Sequence, residues 1–288
     1  LNIPFLRDDS AIHGQIQHVA PGVRRLLCNN PGPFTWRGTN TWIIGEGEVA
    51  VLDPGPEDAA HLEAMLRALD GEVVSHIIIS HTHRDHSPGA AGLAAATGAP
   101  TYGFGPHMTA GAGGDEAFDP MVRLADGDAV EGKAWRLKAI HTPGHCANHL
   151  AFAMEGNGVM FSADHVMSWS STVVSPPDGN MRAYMNSLAK LRAREGLDHL
   201  YLPGHGPPLA EPMPFLDALA THRRRREARV VAALREVGRA SATALVGPVY
   251  GPMDPKLQGA ASRSLLANLM MLEEDGLVRR EGEEWVMG

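Results

Sequence analysis

Cysteine is scarce in this 288-residue chain, with only Cys28 and Cys146 present. Two thiols cannot build a disulfide framework, and no basic stretch followed by an apolar run marks the first residues, so a cytoplasmic protein is expected. Long apolar runs are missing as well. Stretches such as Ile77-Ile78-Ile79 fall far short of the roughly 18 residues a membrane span needs, which predicts a soluble chain with no membrane partner. Basic residues are outnumbered: 25 Lys and Arg face 33 Asp and Glu, for a formal net charge of -8. A surface that wraps nucleic acid is therefore excluded, and any RNA or DNA contact has to be local. The 44% hydrophobic content and the length suffice for one large domain or two smaller ones.

Histidine, in contrast, is abundant: there are 15. It is the commonest metal ligand, so the question is whether these residues cluster. Residues 1–211 read as short strands alternating with helices. Gln15 to Ala20, Val23 to Cys28, Thr41 to Gly45 and Val49 to Asp53 are strand-like runs set apart by Gly and Pro. The acidic pair Glu57-Asp58 opens a helix to Leu69, and Val73 to Ser80 reads as a strand buried on both faces. Ser87-Pro88 then predicts a capped start for an Ala-rich helix. A similar order recurs from Met121 to Leu202, which predicts two sheets facing each other with helices outside. Residues 212–288 differ in character. Helices over Phe215–Val237, Ala240–Val246 and Leu257–Glu274, followed by a small hairpin, suggest a winged-helix-like unit.

The strongest chemical signal is His81-Thr82-His83-Arg84-Asp85-His86, directly after the buried strand. In extended backbone His81 and His83 face the same way and can reach one cation, while Asp85 and His86 turn toward a neighbouring position. Three more candidates follow strands in Gly-marked turns: His145 in His141-Thr142-Pro143-Gly144-His145, Asp164 in Ser162-Ala163-Asp164, and His205 in Pro203-Gly204-His205-Gly206. Taken together, these histidines and aspartates form a set.

The pattern HxHxDH, then His, Asp and His resembles the binuclear members of the metallo-β-lactamase superfamily. The resemblance implies an α/β fold, the four-layered αβ/βα sandwich. It also implies that His81, His83 and His145 hold one metal, that Asp85, His86 and His205 hold a second, and that Asp164 bridges them. A His and carboxylate set without thiolate suits two divalent cations, Zn2+ first and Mn2+ or Fe as alternatives. Hydrolysis by a metal-bridging hydroxide is the implied reaction, with Asp85 as a ligand that also orients the nucleophile or accepts its proton. Asp53, in Leu52-Asp53-Pro54-Gly55, matches a strand-end aspartate beneath the site; it orients a ligand histidine or caps its turn. Cys146 reads as a small buried neighbour.

The second site of lactam-cleaving members carries a cysteine where this chain has an aspartate, so antibiotic hydrolysis is disfavoured. Asn29 to Thr35, Gly38-Thr39-Asn40-Thr41, the turn at Pro203 to Pro208 and the winged-helix-like tail together resemble the β-lactamase-like protein 2 group, which includes an endoribonuclease acting on single-stranded RNA. The third tail helix offers Arg263 but also Glu273 and Glu274, a poor reader of DNA sequence. The run Arg223 to Arg226 either tracks phosphates or is a solvated, ion-paired surface. The loop Trp169 to Asn180 follows Asp164 closely enough to wall a pocket. Asn40, His165, Trp169 and Tyr184 are candidates for substrate contact, with core packing the competing reading. Three functions stay open: cleavage of RNA phosphodiesters, hydrolysis of a small ester or thioester as in glyoxalase-II-like enzymes, and nucleic-acid binding with structural metals.

Overall fold

A computed structural model of the chain describes residues 3–111 and 113–288. The first half begins with β1 (Ile16–Ala20), β2 (Val23–Leu27), β3 (Asn40–Glu46) and β4 (Glu48–Leu52). It continues through α1 (Ala59–Ala68), β5 (Val73–Ile78), α2 (Gly89–Thr97), β6 (Thr101–Gly103) and β7 (Val122–Arg123). These strands form a seven-stranded sheet in chain order, antiparallel from β1 to β4 and parallel from β4 to β7. Connection length explains the switch. Gly47 alone, at φ +72°, separates β3 from β4, whereas α1 lies between β4 and β5 and carries the chain back to the starting edge.

The second half repeats the scheme with β8 (Ala129–Glu131), β9 (Arg136–His141), β10 (Leu150–Met154), β11 (Val159–Ala163), α3 (Met181–Arg192), β12 (Leu200–Pro203) and β13 (Leu209–Ala210). They make a six-stranded sheet in the order β13-β12-β11-β10-β9-β8, and the parallel pair, β11 with β12, is the one that α3 connects. The C-terminal part comprises α4 (Pro212–Val237), β14 (Arg239–Ala240), α5 (Val246–Tyr250), α6 (Gln258–Glu274), β15 (Val278–Glu281) and β16 (Glu284–Met287), with a three-stranded sheet ordered β14-β16-β15.

Strand alternation builds the layers. Trp42, Ile44, Ala50 and Leu52 meet Leu137, Phe152 and Phe161 of the other sheet, while the intervening Ile43, Val49 and Val51 pack on Met65 of α1 and Leu93 of α2. Each such Leu, Ile or Phe, taken wholly out of water, contributes about 1.5–3 kcal/mol. On the far side, Met160 and Tyr201 pack against Tyr184 and Leu188 of α3 and Phe215 of α4. The result is a helix, sheet, sheet, helix sandwich of the predicted kind. Helix α4 belongs to two cores: Phe215, Leu216 and Leu219 near its start cover the second sheet, while Val230 and Leu234 near its end join Leu265, Leu269 and Trp285 of the winged-helix unit.

Two local expectations change. Ala240 does not begin a helix; it pairs with Trp285 in the β14–β16 ladder, and α5 starts at Val246. Ser87 does not cap α2, because its hydroxyl donates to Asp115 Oδ2 at 2.7 Å. Asp58 does cap α1, accepting from the His61 amide at 2.8 Å.

Candidate metal centre

The sequence-selected ligands come from four loops at the same end of the two sheets. Backbone continuing from β5 sets His81 and His83 side by side, with His81 Nε2 and His83 Nδ1 3.0 Å apart. The chain then turns tightly: the amides of His86 and Ser87 both donate to the His83 carbonyl, at 3.0 and 3.2 Å, which swings Asp85 and His86 to the other side. Two triads result. The donor atoms of His81, His83 and His145 lie within 4.8 Å of one another, and so do those of Asp85, His86 and His205. Asp164 sits between them, one carboxylate oxygen 3.5 Å from His145 Nε2 and from His205 Nε2, the other 3.5 Å from His86 Nε2.

The outer nitrogens of these rings are spent on the protein. Asp53 Oδ2 accepts from Ser80 Oγ at 2.6 Å and from His86 Nδ1 at 2.9 Å, and Ser80 Oγ in turn accepts from His81 Nδ1 at 2.9 Å. His145 Nδ1 donates to the Val173 carbonyl at 2.7 Å, and His205 Nδ1 donates to that of Gly38 at 3.1 Å. With Nδ1 protonated, each of these four rings points an Nε2 lone pair inward. His145 Nε2 and Asp164 Oδ1 are buried and have no hydrogen-bond partner among the described residues. A buried polar atom left so costs about 1–3 kcal/mol, and a cation removes that cost. The donors fit two divalent cations.

Electrostatics divides the triads. Burial, reinforced by neighbouring imidazoles, lowers His81 well below its ordinary value and His83 to about 3, so both stay neutral as ligands must be. For His205 burial is outweighed by Asp164 and Asp85, which push it up to about 10. For Asp85 burial acts upward, but His86 and His205 outweigh it and hold the carboxyl well below the usual range. The Asp85 side therefore draws positive charge to itself, supplied by a proton on His205 or by a bound cation in its place.

Two tight approaches make this geometry possible. A Cβ at Gly204 would stand 2.3 Å from Asp164 Oδ1 and 2.7 Å from His86 Cε1, and one at Gly144 would meet the Tyr184 backbone at 2.3 Å. Ala163 and Asp53, which precede ligand-bearing turns or support them, are held at φ +42° and +54°. Non-glycine residues in that region store about 1–3 kcal/mol, a cost often met at functional sites.

A cavity of about 510 Å³ opens over the cluster, and His83, Asp85, His145, Asp164 and His205 line its floor. As expected, the 169–180 loop forms a wall, through Trp169, Val173 and Pro177 among others, and Trp169 stacks on Trp36 at 5.8 Å. Three proposed substrate contacts lie elsewhere. Asn40 is fully buried, accepting from Arg25 Nε at 2.6 Å and donating to the carbonyls of Pro203 and Gly206, each at 2.9 Å. His165 and Tyr184 are also fully buried, their rings 4.5 Å apart. Packing claims all three. Residues not selected from sequence turn out to support the site: Ser80, Thr172, whose Oγ1 donates to the Asp164 carbonyl at 2.6 Å, and His149, whose Nε2 accepts from the Asp164 amide at 3.2 Å. His149 stands four positions after His145, and no pattern in the sequence distinguishes it.

The arginine run divides: Arg224 and Arg225 are exposed, while Arg223 and Arg226 turn inward. Arg223 is buried, donates to the Thr172 carbonyl and lies 4.8 Å over the Tyr184 ring; Arg226 lies 3.7 Å over Tyr250. No member of the run lines the cavity.

The sequence profile of the metallo-beta-lactamase superfamily matches residues 34–205. The chain belongs to that superfamily. A second profile, the beta-lactamase associated winged helix domain, matches residues 241–285. Among similar proteins, the beta-lactamase-like protein 2 homolog of Caenorhabditis elegans is 28% identical over 284 residues, 95% of this chain and 92% of its own. An atrochrysone carboxyl ACP thioesterase of Aspergillus chevalieri is 28% identical over 89% of this chain and 82% of its own. A solved beta-lactamase domain protein from Burkholderia ambifaria superposes with TM-score 0.81 at 26% identity, covering 97% of this chain and 96% of that one. This superfamily member, with its His and Asp cluster, is a metal-dependent hydrolase. No helix among the described residues is long and apolar enough to cross a membrane.

Proposed function

We propose that this superfamily member hydrolyses a small acyl thioester, using two divalent cations held by His81, His83 and His145, by Asp85, His86 and His205, and by Asp164 between them. Zn2+ is the first candidate for both positions. The observation that carries the substrate class is the cavity wall. Pro33, Phe34, Met167, Trp169, Val173 and Pro177 present apolar surface beside the cluster, with Ser170, Ser171 and Ser175 as the neutral polar groups. Such a wall suits an acyl chain. A single RNA strand calls for a continuous basic track with bases stacked along it; the cavity offers only Arg84 and Arg263, from separate elements, and Arg223 and Arg226 are engaged inside the protein. The thioesterase named above lends the reading support from sequence.

When bound, the cations polarise the scissile carbonyl and lower the pKa of water. The chain's own groups do the rest. Asp85, whose side chain is 28% exposed and reaches the cavity, takes a proton from the attacking water. Asp53 and Ser80 keep the ligand rings from rotating, so the carbonyl meets a geometry already set. The C–S bond breaks as water's oxygen adds to the carbonyl carbon, and the thiolate takes up the proton that Asp85 received, giving free acid and thiol.

The test is turnover by purified, metal-quantified protein on an acyl thioester, a simple phosphodiester and a single-stranded RNA in parallel, with and without chelator. Thioester cleavage that the chelator abolishes is expected. Chelator-sensitive RNA cleavage without thioester cleavage would overturn the reading and restore the nuclease alternative.

A further inference from the structure

Arg84 and Arg263 line the same cavity as His83, Asp85 and His145. They come from different parts of the molecule. Arg84 belongs to the metal-binding loop, whereas Arg263 lies on α6 of the winged-helix unit, and both are exposed. Many guanidinium groups elsewhere are ion-paired, and Arg224, Arg229 and Arg235, exposed on α4, do not line this cavity. Arg24 pairs with Glu72, Arg25 with Asp9, Arg182 with Glu274 and Asp275, Arg192 with Asp217 and Arg194 with Asp198. Among the described residues Arg263 has no hydrogen bond or ion pair, and Arg84 has only Nε reaching the Gly114 carbonyl at 3.4 Å.

In a chain with net charge -8, two arginines that face one cavity and carry no carboxylate partner give that cavity a local positive mouth, open to an anion. The carboxylates that line the same space do not serve them. Asp85 and Asp164 face the imidazoles of the metal cluster, and Asp178 accepts from Thr109 Oγ1 at 2.9 Å and from the Ala147 amide at 3.4 Å. None lies within ion-pair distance of either arginine. The guanidinium fork matches a carboxylate or a phosphate, and apolar wall lies in the same cavity for the rest of the molecule. Docking of the winged-helix unit places Arg263 there: Glu274 and Asp275, at the end of α6, hold Arg182 of α3, each at 2.7 Å.

We infer that Arg263, assisted by Arg84, is an anion anchor, and that the substrate carries a carboxylate or phosphate remote from its reacting carbonyl. The inference rests on the thioester reading for its reaction, not for its anion site. It gives the winged-helix unit a part in substrate selection at the metal centre, in place of reading nucleic acid in a groove.

The experiment compares kcat/KM on three thioesters: S-acetyl-N-acetylcysteamine, which is neutral; S-acetyl-4'-phosphopantetheine, with a phosphate on the thiol side; and S-glutaryl-N-acetylcysteamine, with a carboxylate on the acyl side. The anionic-to-neutral ratio is read for the wild type, Arg263→Gln, Arg263→Lys, Arg84→Gln and the control Arg224→Gln, an exposed arginine that does not line the cavity. A preference of about 10-fold or more for one anionic thioester is expected, and which of the two it is locates the anion. Arg263→Gln removes that preference, Arg263→Lys restores part of it, and the control keeps it. Equal ratios in the wild type and Arg263→Gln, or no preference at all, would overturn the anchor. If no thioester is turned over, the reaction fails as proposed and the anchor is judged separately. Glutarate and 4'-phosphopantothenate are then titrated calorimetrically into metal-loaded protein; about 10-fold weaker binding to Arg263→Gln supports it, and equal binding sinks it.

Discussion

Two buried polar clusters lie a few residues apart in this molecule and behave in opposite ways. Around Arg25 every group closes on another: both terminal nitrogens reach Asp9, at 2.8 and 2.7 Å, Nε reaches Asn40, and Asn40 ties the turn at Pro203 and Gly206. Around Asp164 the outer hydrogen bonds are made but the inner lone pairs of His145 and Asp164 are left over, and they face a cavity. The first arrangement is complete without a ligand; the second is not. Unspent hydrogen-bonding capacity that faces a cavity, more than the presence of buried charge, is what separates this site from its brace.

The largest expected effect breaks the open cluster. Asp85→Asn keeps the size of the side chain but cannot accept a proton, so kcat on the thioester should fall about 10²–10⁴-fold, with thermal unfolding little changed. Steady-state kinetics on metal-quantified protein decides it; unchanged turnover removes Asp85 from the mechanism. Breaking the closed cluster should do the reverse. Asp9→Asn leaves the fully buried Arg25 without its counter-charge and should cost about 3–5 kcal/mol in denaturant unfolding, with kcat per folded molecule preserved. The native pair should also show in the pH dependence of stability. Burial raises the Asp9 carboxyl, but its bonds to Arg25 outweigh this and lower it below its ordinary 3.8. A depressed folded value means the stabilisation is present above about 4 and is lost as pH falls through the folded value, so the acid limb of the stability curve should flatten in Asp9→Asn.

How far sequence reaches depends on which cluster is read. His81, His83, Asp85, His86, His145, Asp164 and His205 stand in a spaced pattern with glycines beside them, and the structure brings all seven together. The two-sheet sandwich followed from apolar runs such as Val73 to Ser80, because strands buried on both faces need little context to recognise. Asn40 was misjudged as a substrate contact because its neighbours are polar and its partners, Arg25, Pro203 and Gly206, come from distant segments. The same distance hid His149 and Thr172, whose roles exist only once β10 and the 169–180 loop meet at Asp164. The arginine run misled differently: consecutive arginines on a helix point all round it, and α4 has protein on two sides. Local patterns reveal ligands, whereas the braces behind them are long-range and leave little local trace.

Residues that link ligand and brace should show smaller effects. Asp53 accepts from both Ser80 and His86, so Asp53→Asn places an amide where one oxygen served two donors, and His86 loses its fixed orientation. Metal affinity should drop about 10–100-fold, read by competition with a chromophoric chelator, with a smaller loss in kcat once metal is saturating.

Thr172 is the finest test, since it touches no ligand atom. Its hydroxyl donates to the Asp164 carbonyl at 2.6 Å, and its own carbonyl receives Arg223 from α4. Thr172→Val keeps the shape and the Arg223 contact but strips the hydroxyl, leaving the Asp164 backbone oxygen short of a donor. About 1 kcal/mol of stability should go. If the brace also aims the carboxylate, chelator competition will show weaker metal binding in Thr172→Val by a few-fold, because a bridging aspartate that wanders holds neither triad at full strength. A stability loss with metal affinity intact would place Thr172 on the side of the closed cluster, a packing brace that happens to stand behind the site.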